Sequence, residues 1–344
     1  MTSRPTITLP NGFQIGGPRT FVIAEIGSNH AGNLDTALQS IDAAASTGVD
    51  AVKFQSIDLE ALYHKPTGAT CALHRKIDLP EAWHAPLKQR CDERGLVFFS
   101  SPTYIRAIDV LESVGVSLYK LASAQIAVFP QLVQRVAELR KPVILSTGLV
   151  TMEEIARVVQ IFRAADNNQF VILHCNSVYP AGPEIVHLPR MLDYQRHFNC
   201  HVGFSDHSET NTASIAAVAM GASVIERHFT LSRELDSPDA PLSLEPREFT
   251  HFVQAVREAE MICKPSPRDA LEPDEQAFKT RIRHCLLSSK EIVEGTILDD
   301  SNTLLMRGGP INGIDAWQVC RSSGKLLAKK YIAKGRWVQA DDIA

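Results

Sequence analysis

Eight short apolar runs recur along the first two thirds of the chain, and this recurrence constrains the fold more than any other feature. They read FVIAEIG (Phe21–Gly27), AVKFQ (Ala51–Gln55), LVFFSSP (Leu96–Pro102) and LYKLAS (Leu118–Ser123). PVILSTG (Pro142–Gly148), FVILHCNS (Phe170–Ser177), HVGFSDH (His201–His207) and SVIERHF (Ser223–Phe229) follow. Each has the length and the Val/Ile/Phe content of a buried strand. Helical patterns separate them. LDTALQSIDAAASTG places Leu34, Ala37, Leu38 and Ile41 on one face and stops at Gly48, a C-terminal cap. Thr151 followed by Glu154 has capping-box spacing. TASIAAVAMGA is a small-residue helix suited to close packing on a sheet.

Strands alternating with helices predict an α/β fold with a parallel sheet. An open doubly wound sheet alternates too, but no GxGxxG turn follows the first run, and eight is the number that closes a (β/α)8 TIM barrel. After Phe252 the pattern changes. VQAVREAEMIC is helical, KPSPRDALEPDEQ reads as a proline-rich linker, and short alternating pieces punctuated by glycine follow. The expected organisation is a barrel over residues 1–262, a linker over 263–280 and a small β-rich domain over 281–344.

Composition narrows the function. A formal net charge of -4 excludes a generic nucleic-acid binder, so an anionic ligand needs a local cluster of donors. Seven cysteines without a CxxC pair fit reduced thiols in a cytoplasm. The N-terminus lacks the pattern of a signal peptide, and no apolar stretch is long enough to cross a bilayer. No nucleic-acid or membrane partner is expected.

The strand ends carry the chemistry. In such a barrel the C-terminal ends of the strands form the site. Alternate residues share a face, which groups Ile23 with Glu25, Ala51 with Lys53 and Gln55, and Ile144 with Ser146. The same rule groups Ile172 with His174 and Asn176, Gly203 with Ser205 and His207, and Val224 with Glu226 and His228. Leaving so many buried donors unpaired would cost roughly 1–3 kcal/mol each, so a ligand or metal is expected to satisfy them. Lys53, Lys120, Ser123, Ser146, Asn176 and Ser205 suit a phosphate or carboxylate. His207 and His228 end adjacent strands and can reach one metal ion. Glu226 reads as a partner that orients a histidine or lysine, or as a third metal ligand. Cys175 is expected to pack outside the lumen, and His64, His74 and His84 to lie at the surface. His30 either shapes the first loop or touches substrate.

Seven ordered segments, IAEIGSNHAGN, DAVKFQ, YKLAS, PVILSTG, HCNSVYP, GFSDHS and VIERHFTL, resemble the signatures of the N-acetylneuraminate (sialic acid) synthase family. That family includes legionaminic and pseudaminic acid synthases. The C-terminal part resembles the antifreeze-like SAF domain that ends such enzymes. The resemblance implies a transferase that condenses phosphoenolpyruvate (PEP) with the open-chain aldehyde of an N-acetylated amino sugar, releasing phosphate. N-acetylmannosamine and 2,4-diacetamido-trideoxyhexoses are the implied acceptors. It implies a divalent metal, Mn2+ or Mg2+, on His207 and His228. It assigns PEP to Lys53, Lys120, Ser123, Ser146, Asn176 and Ser205. The sugar falls to Glu25, Gln125, Tyr179, Asp239 and Arg307, with Glu25, His207 and Asp239 catalytic. Arg307 would serve a partner subunit, which implies a domain-swapped homodimer.

Three departures fall on the acceptor side. Gln125 stands where the family usually has Glu, Arg307-Gly308-Gly309 replaces the usual RP, and SRELDSPDAPLSLEP lacks the common Gly-Pro-Asp start. Two other readings follow from them: the same condensation with a different aldehyde, or a non-catalytic carbohydrate-binding relative. A Schiff-base role for Lys120 is a further possibility on residue type alone.

Overall fold

The computed structural model describes residues 4–265, 270–322 and 325–344. The chain divides into two compact units, Met1–Lys264 and Pro265–Ala344.

The first unit is the expected barrel. Its strands are β1 (Phe21–Gly27), β2 (Ala51–Ser56), β3 (Val97–Pro102), β4 (Tyr119–Leu121), β5 (Val143–Ser146), β6 (Phe170–Cys175), β7 (His201–Asp206) and β8 (Val224–His228). Their order is β3-β2-β1-β8-β7-β6-β5-β4, with every hydrogen-bonded pair parallel. β3 and β4 flank the seam, where the cylinder closes without a ladder. Helices lie between successive strands, and their ends follow local chemistry. Helix Leu34–Ser46 starts on an Asn33 cap, and Gly48 beyond its end takes φ 84°, which a side chain would strain. Helix Met152–Ala164 carries the Thr151–Glu154 capping box.

Strand periodicity sorts the core into two layers. Phe21, Ile23, Ala51, Val97, Phe99, Leu118, Ile144, Val171, Leu173 and Val224 fill the lumen. Val22, Val52, Phe98, Tyr119, Leu145, Ile172, Phe204 and Ile225 face the helices. An N-terminal hairpin, Ile7–Thr8 paired with Gln14–Ile15, adds Ile7, Leu9 and Ile15 to the lumen layer. The lower barrel is therefore solid and apolar, and polar residues are admitted at the C-terminal ends of the strands. At β7 the inward position is Gly203. A Cβ there would sit 2.2 Å from the Val224 carbonyl oxygen and 2.7 Å from Leu173 Cδ2.

The second unit pairs β9 (His284–Ser288) antiparallel with β10 (Thr303–Arg307) over a core of Leu286, Ile292, Leu298, Ile314, Ile332 and Val338. The stretch expected to be a linker holds the helix Pro273–Ile282, whose Glu272–Glu275 capping box supplies a local start that the prolines obscured. The unit also contains an internal repeat. Ile292 and Ile332 exchange both backbone hydrogen bonds at 2.9 Å. Gly295 donates to Ala328, and Gly335 donates to Ser288. Leu298 donates to Leu326, and Val338 donates to Leu286. Each bond recurs with its partners shifted by forty residues and exchanged, and both glycines are left-handed, φ 81° and 78°. Among the described residues no helix is long and apolar enough to cross a membrane.

Candidate active site

A cavity of about 390 Å³ opens at the C-terminal mouth of the barrel. Every strand sends at least one side chain into it. Glu25, Lys53, Ser101 and Lys120 come from β1 to β4, and Ser146, Cys175, Ser205 and Glu226 from β5 to β8. These positions are the next inward step above the apolar lumen layer. The polar stretch that ends β7 thus splits by parity. Ser205 and His207 enter the cavity, while Asp206 faces outward. There Asp206 accepts from Ser208 and Ser214 and lies 3.5 Å from the Arg227 guanidinium. Asp206 and Arg227 therefore build the loop rather than the site.

Four buried charges form the cavity floor. Lys120 Nζ donates to both oxygens of Glu226 at 2.5 and 2.6 Å, and Ser205 Oγ donates to Glu226 Oε1 at 2.9 Å. Lys53 Nζ lies 2.8 Å from Glu25 Oε2 and 3.6 Å from Glu226 Oε2. Gln55 Nε2 donates to the other Glu25 oxygen at 2.8 Å. Burial disfavours every one of these charges, so the balance of neighbours decides their behaviour. Burial would raise the Glu226 pKa, but Lys120 and Lys53 outweigh it and hold that carboxyl far below the ordinary range. For Lys53 the two glutamates outweigh burial and raise its pKa. For Lys120 burial wins, aided by Lys53, and its pKa falls below that of a free lysine. Beside these charges, Ser101 and Ser146 have buried hydroxyls with no protein partner. Ser123 Oγ accepts from the Gly148 amide at 2.9 Å. Two ammonium groups ringed by hydroxyls supply donors suited to an anion, with Glu25 and Glu226 as their counter-charges.

Two histidines stand above this floor. The His207 and His228 rings are 5.5 Å apart, with the Tyr179 ring 4.1 Å from His207. His207 Nδ1 donates to the Asn176 carbonyl at 2.6 Å, which leaves Nε2 with its lone pair. Burial, and then the charge of His228, lowers the His207 pKa to about 3, so its imidazole is neutral near pH 7. His228 Nδ1 is buried without a hydrogen-bond partner, 4.0 Å from Asp239 Oδ2. Among the described residues no three His, Cys, Asp or Glu side chains cluster as metal ligands. The donor set does suit a cation held by two imidazoles that shares its remaining positions with substrate or water. Asp239, held by Ser28 Oγ at 3.0 Å, and Gln125 line the same cavity.

Three expectations need correction. β6 has the opposite parity: Cys175 and Ser177 line the cavity, whereas His174 faces outward against Phe204 and bonds the Val186 carbonyl. Asn176 consequently turns away, and its Nδ2 donates to the Ile185 carbonyl at 2.8 Å. Ser177 takes the place expected for it. Polar residues alternate on both faces of HCNS, so the pattern alone allowed either phase. His74 and His84 are buried, not at the surface: His74 pairs with Asp78 at 2.6 Å, and His84 bonds Ser56 at 2.8 Å. Ser123 does not end a strand but opens the short helix Ser123–Val128. Ser101 escaped the sequence reading, although the SSP that ends its run was a usable signal. Arg307 lies in the second unit, exposed at the end of β10.

His30 shapes the first loop. Its Nδ1 accepts from the Gly32 amide at 3.1 Å, and its ring meets Trp83 edge-on at 5.7 Å. Burial lowers its pKa to about 4. A histidine held neutral contributes stability above its unfolded pKa of about 6.5 and loses it as pH falls towards 4. Between those limits the loss should approach about 3 kcal/mol. Urea unfolding followed by tryptophan fluorescence should show this acid weakening in the native protein and a flatter profile in His30→Gln. Identical profiles would contradict it.

A larger groove of about 600 Å³ runs between residues 180–188 and 208–216, but it is mainly apolar and its charged lining residues, Glu184 and Glu209, are both acidic. The chemistry resides in the smaller cavity.

Buried lysines, carboxylates and hydroxyls beneath two histidines, at the catalytic end of a (β/α)8 barrel, have the composition and place of an enzyme's active site. The sequence model of the NeuB family matches residues 40–266, and the chain belongs to that family. It is 34% identical over 303 residues to the pseudaminic acid synthase of Campylobacter jejuni, covering 84% of this chain and 87% of that protein. It is 32% identical to the N,N'-diacetyllegionaminic acid synthase of the same species, covering 91% and 97%. Human N-acetylneuraminate-9-phosphate synthase is 33% identical, covering 83% and 82%. The sialic acid synthetase of Leptospira borgpetersenii, solved in complex with citrate, superposes with a TM-score of 0.74 at 31% identity, covering 80% of this chain and 96% of that one. The chain is thus an enzyme of the synthase type that these relatives represent.

Proposed function

We propose that this enzyme condenses PEP with the open-chain aldehyde of an N-acetylated amino sugar, consuming water and releasing a nonulosonic acid and phosphate. The observation that carries the reading is the floor, where two buried lysines and a ring of hydroxyls match a phosphate and a carboxylate. In this reading Lys53, Lys120, Ser123, Ser146, Ser177 and Ser205 bind PEP and orient its C3 carbon towards the acceptor. His207 and His228 hold a divalent metal, Mn2+ or Mg2+. When bound, that ion supplies Lewis-acid polarisation of the aldehyde oxygen. Glu25, Gln125, Tyr179 and Asp239 face the acceptor, and Glu25 and Asp239 are placed to exchange protons with it and with water. C3 forms the new bond to the aldehyde carbon, water adds at C2, and the C2–O bond to phosphate breaks. The second unit serves as the SAF domain, its Arg307 acting at the site of a second copy in a domain-swapped dimer. Seven cysteines without a CxxC pair support a cytoplasmic enzyme in this reading.

Gln125 favours an acceptor different from the usual one, because an amide cannot replace a carboxylate as a base. The test is phosphate release from PEP with manganese. N-acetylmannosamine, 2,4-diacetamido-trideoxyhexoses and simple aldehydes should be supplied in parallel. Release should depend on one acceptor, stop on chelation and return with added Mn2+. Acceptor-independent release, or release indifferent to chelation, would contradict the proposal.

A further inference from the structure

We infer that Glu226 is a positioning residue for the anion site, aiming Lys53 and Lys120 at PEP through one shared carboxylate. The inference rests on the PEP reading above. Among the described residues, Glu226 is the cavity carboxylate that meets both ammonium groups, bidentate to Lys120 and 3.6 Å from Lys53. It is itself 4% exposed and is fixed by Ser205 at 2.9 Å. An ammonium group has three N–H donors. Two from Lys120 are spent on Glu226, so the direction of the third is set. Lys53 is anchored separately by Glu25 at 2.8 Å, and Glu226 limits its swing towards Lys120. Without a shared counter-charge, two buried ammonium groups would repel each other and search rotamers of a flexible four-carbon stem. Among the described residues Glu226 hydrogen-bonds Lys120 and Ser205 and makes no hydrogen bond to Gln125, Tyr179 or Asp239. Its effect should therefore appear in PEP binding and spare acceptor binding.

The test uses the full-length protein, calorimetric titration with PEP, and separate KM values for PEP and acceptor. Glu226→Gln removes the charge but keeps the shape. It should raise the KM for PEP by about tenfold or more and leave the acceptor KM within about twofold. Glu226→Asp keeps the charge and should recover part of the PEP affinity. It also carries the test, with the same two KM values, should the Gln variant fail to fold. PEP affinity unchanged in these variants, or PEP and acceptor KM rising together, would overturn the inference while leaving the reaction intact. If the native protein binds no PEP in the calorimeter, the reading of the reaction falls and the inference falls with it.

Discussion

Lys120→Met should lower kcat/KM for PEP by between about 10² and 10⁴-fold. The substitution removes a donor from the proposed anion site and strips Glu226 of its bidentate partner. Breaking one side of a buried ion pair costs about 3–5 kcal/mol, because the remaining charge stays dehydrated. Part of that cost falls on folding, so thermal melting should be run beside the kinetics. Acceptor KM should change little. A Schiff-base role for Lys120 makes a different prediction: borohydride with PEP or pyruvate would trap a covalent adduct in the native enzyme. Burial lowers its pKa, but Nζ donates to both oxygens of Glu226, and that ion pair opposes loss of the proton a nucleophilic amine must shed. No adduct is therefore expected.

Gly203→Val should destabilise the barrel by about 3 kcal/mol, the upper end of the cost of overpacking, because the clash is with backbone. The added carbons collide first with the Val224 carbonyl, which belongs to the paired backbone of β8 and has no rotamer to yield. The lumen at this level is already filled by Leu173 and Val224. For a unit of this size a loss of about 3 kcal/mol corresponds to a fall in Tm of roughly 6–12 °C. Gly203→Ala should show a smaller fall in the same direction. The damage should also reach catalysis, because Ser205 and Glu226 occupy the next inward positions on the same two strands. A Gly203→Val protein that melts with the native one would mean that β7 and β8 do not pair as described.

Much of this site was legible in the sequence, for a physical reason. A strand reports its inward face through period two, and a barrel maps its strand ends onto one site. Glu25, Lys53, Lys120, Ser146, Ser205 and His207 could therefore be placed together before any coordinates. The method failed where period two was ambiguous. In β6 an apolar run ends in His-Cys-Asn-Ser, polar on both phases, and only the pairing of Cys175 with Ser205 decides which face is inward. Long-range partners were invisible for the same reason. Nothing local to VIERH says that Glu226 will meet two lysines from β2 and β4, 173 and 106 residues earlier in the chain. His84 was misjudged because it sits in a proline-containing stretch that reads as loop, while its partner Ser56, itself bonded to Ser100, arrives from a separate strand. The repeat in the second unit was in fact legible: LLSSKEIVEG (Leu286–Gly295) and LLAKKYIAKG (Leu326–Gly335) share Leu-Leu-x-x-Lys-x-Ile-x-x-Gly.

That repeat has a consequence for how so small a unit can exist. Each half donates to, and accepts from, the other at equivalent places, so neither half has a finished core alone. Such an arrangement is a dimer of half-size pieces written as one chain. As separate peptides the pieces would meet only as often as dilution allowed. The covalent tether gives each a permanent mate at an effective concentration on the order of millimolar. Assembly of the halves then ceases to depend on how much protein the cell contains.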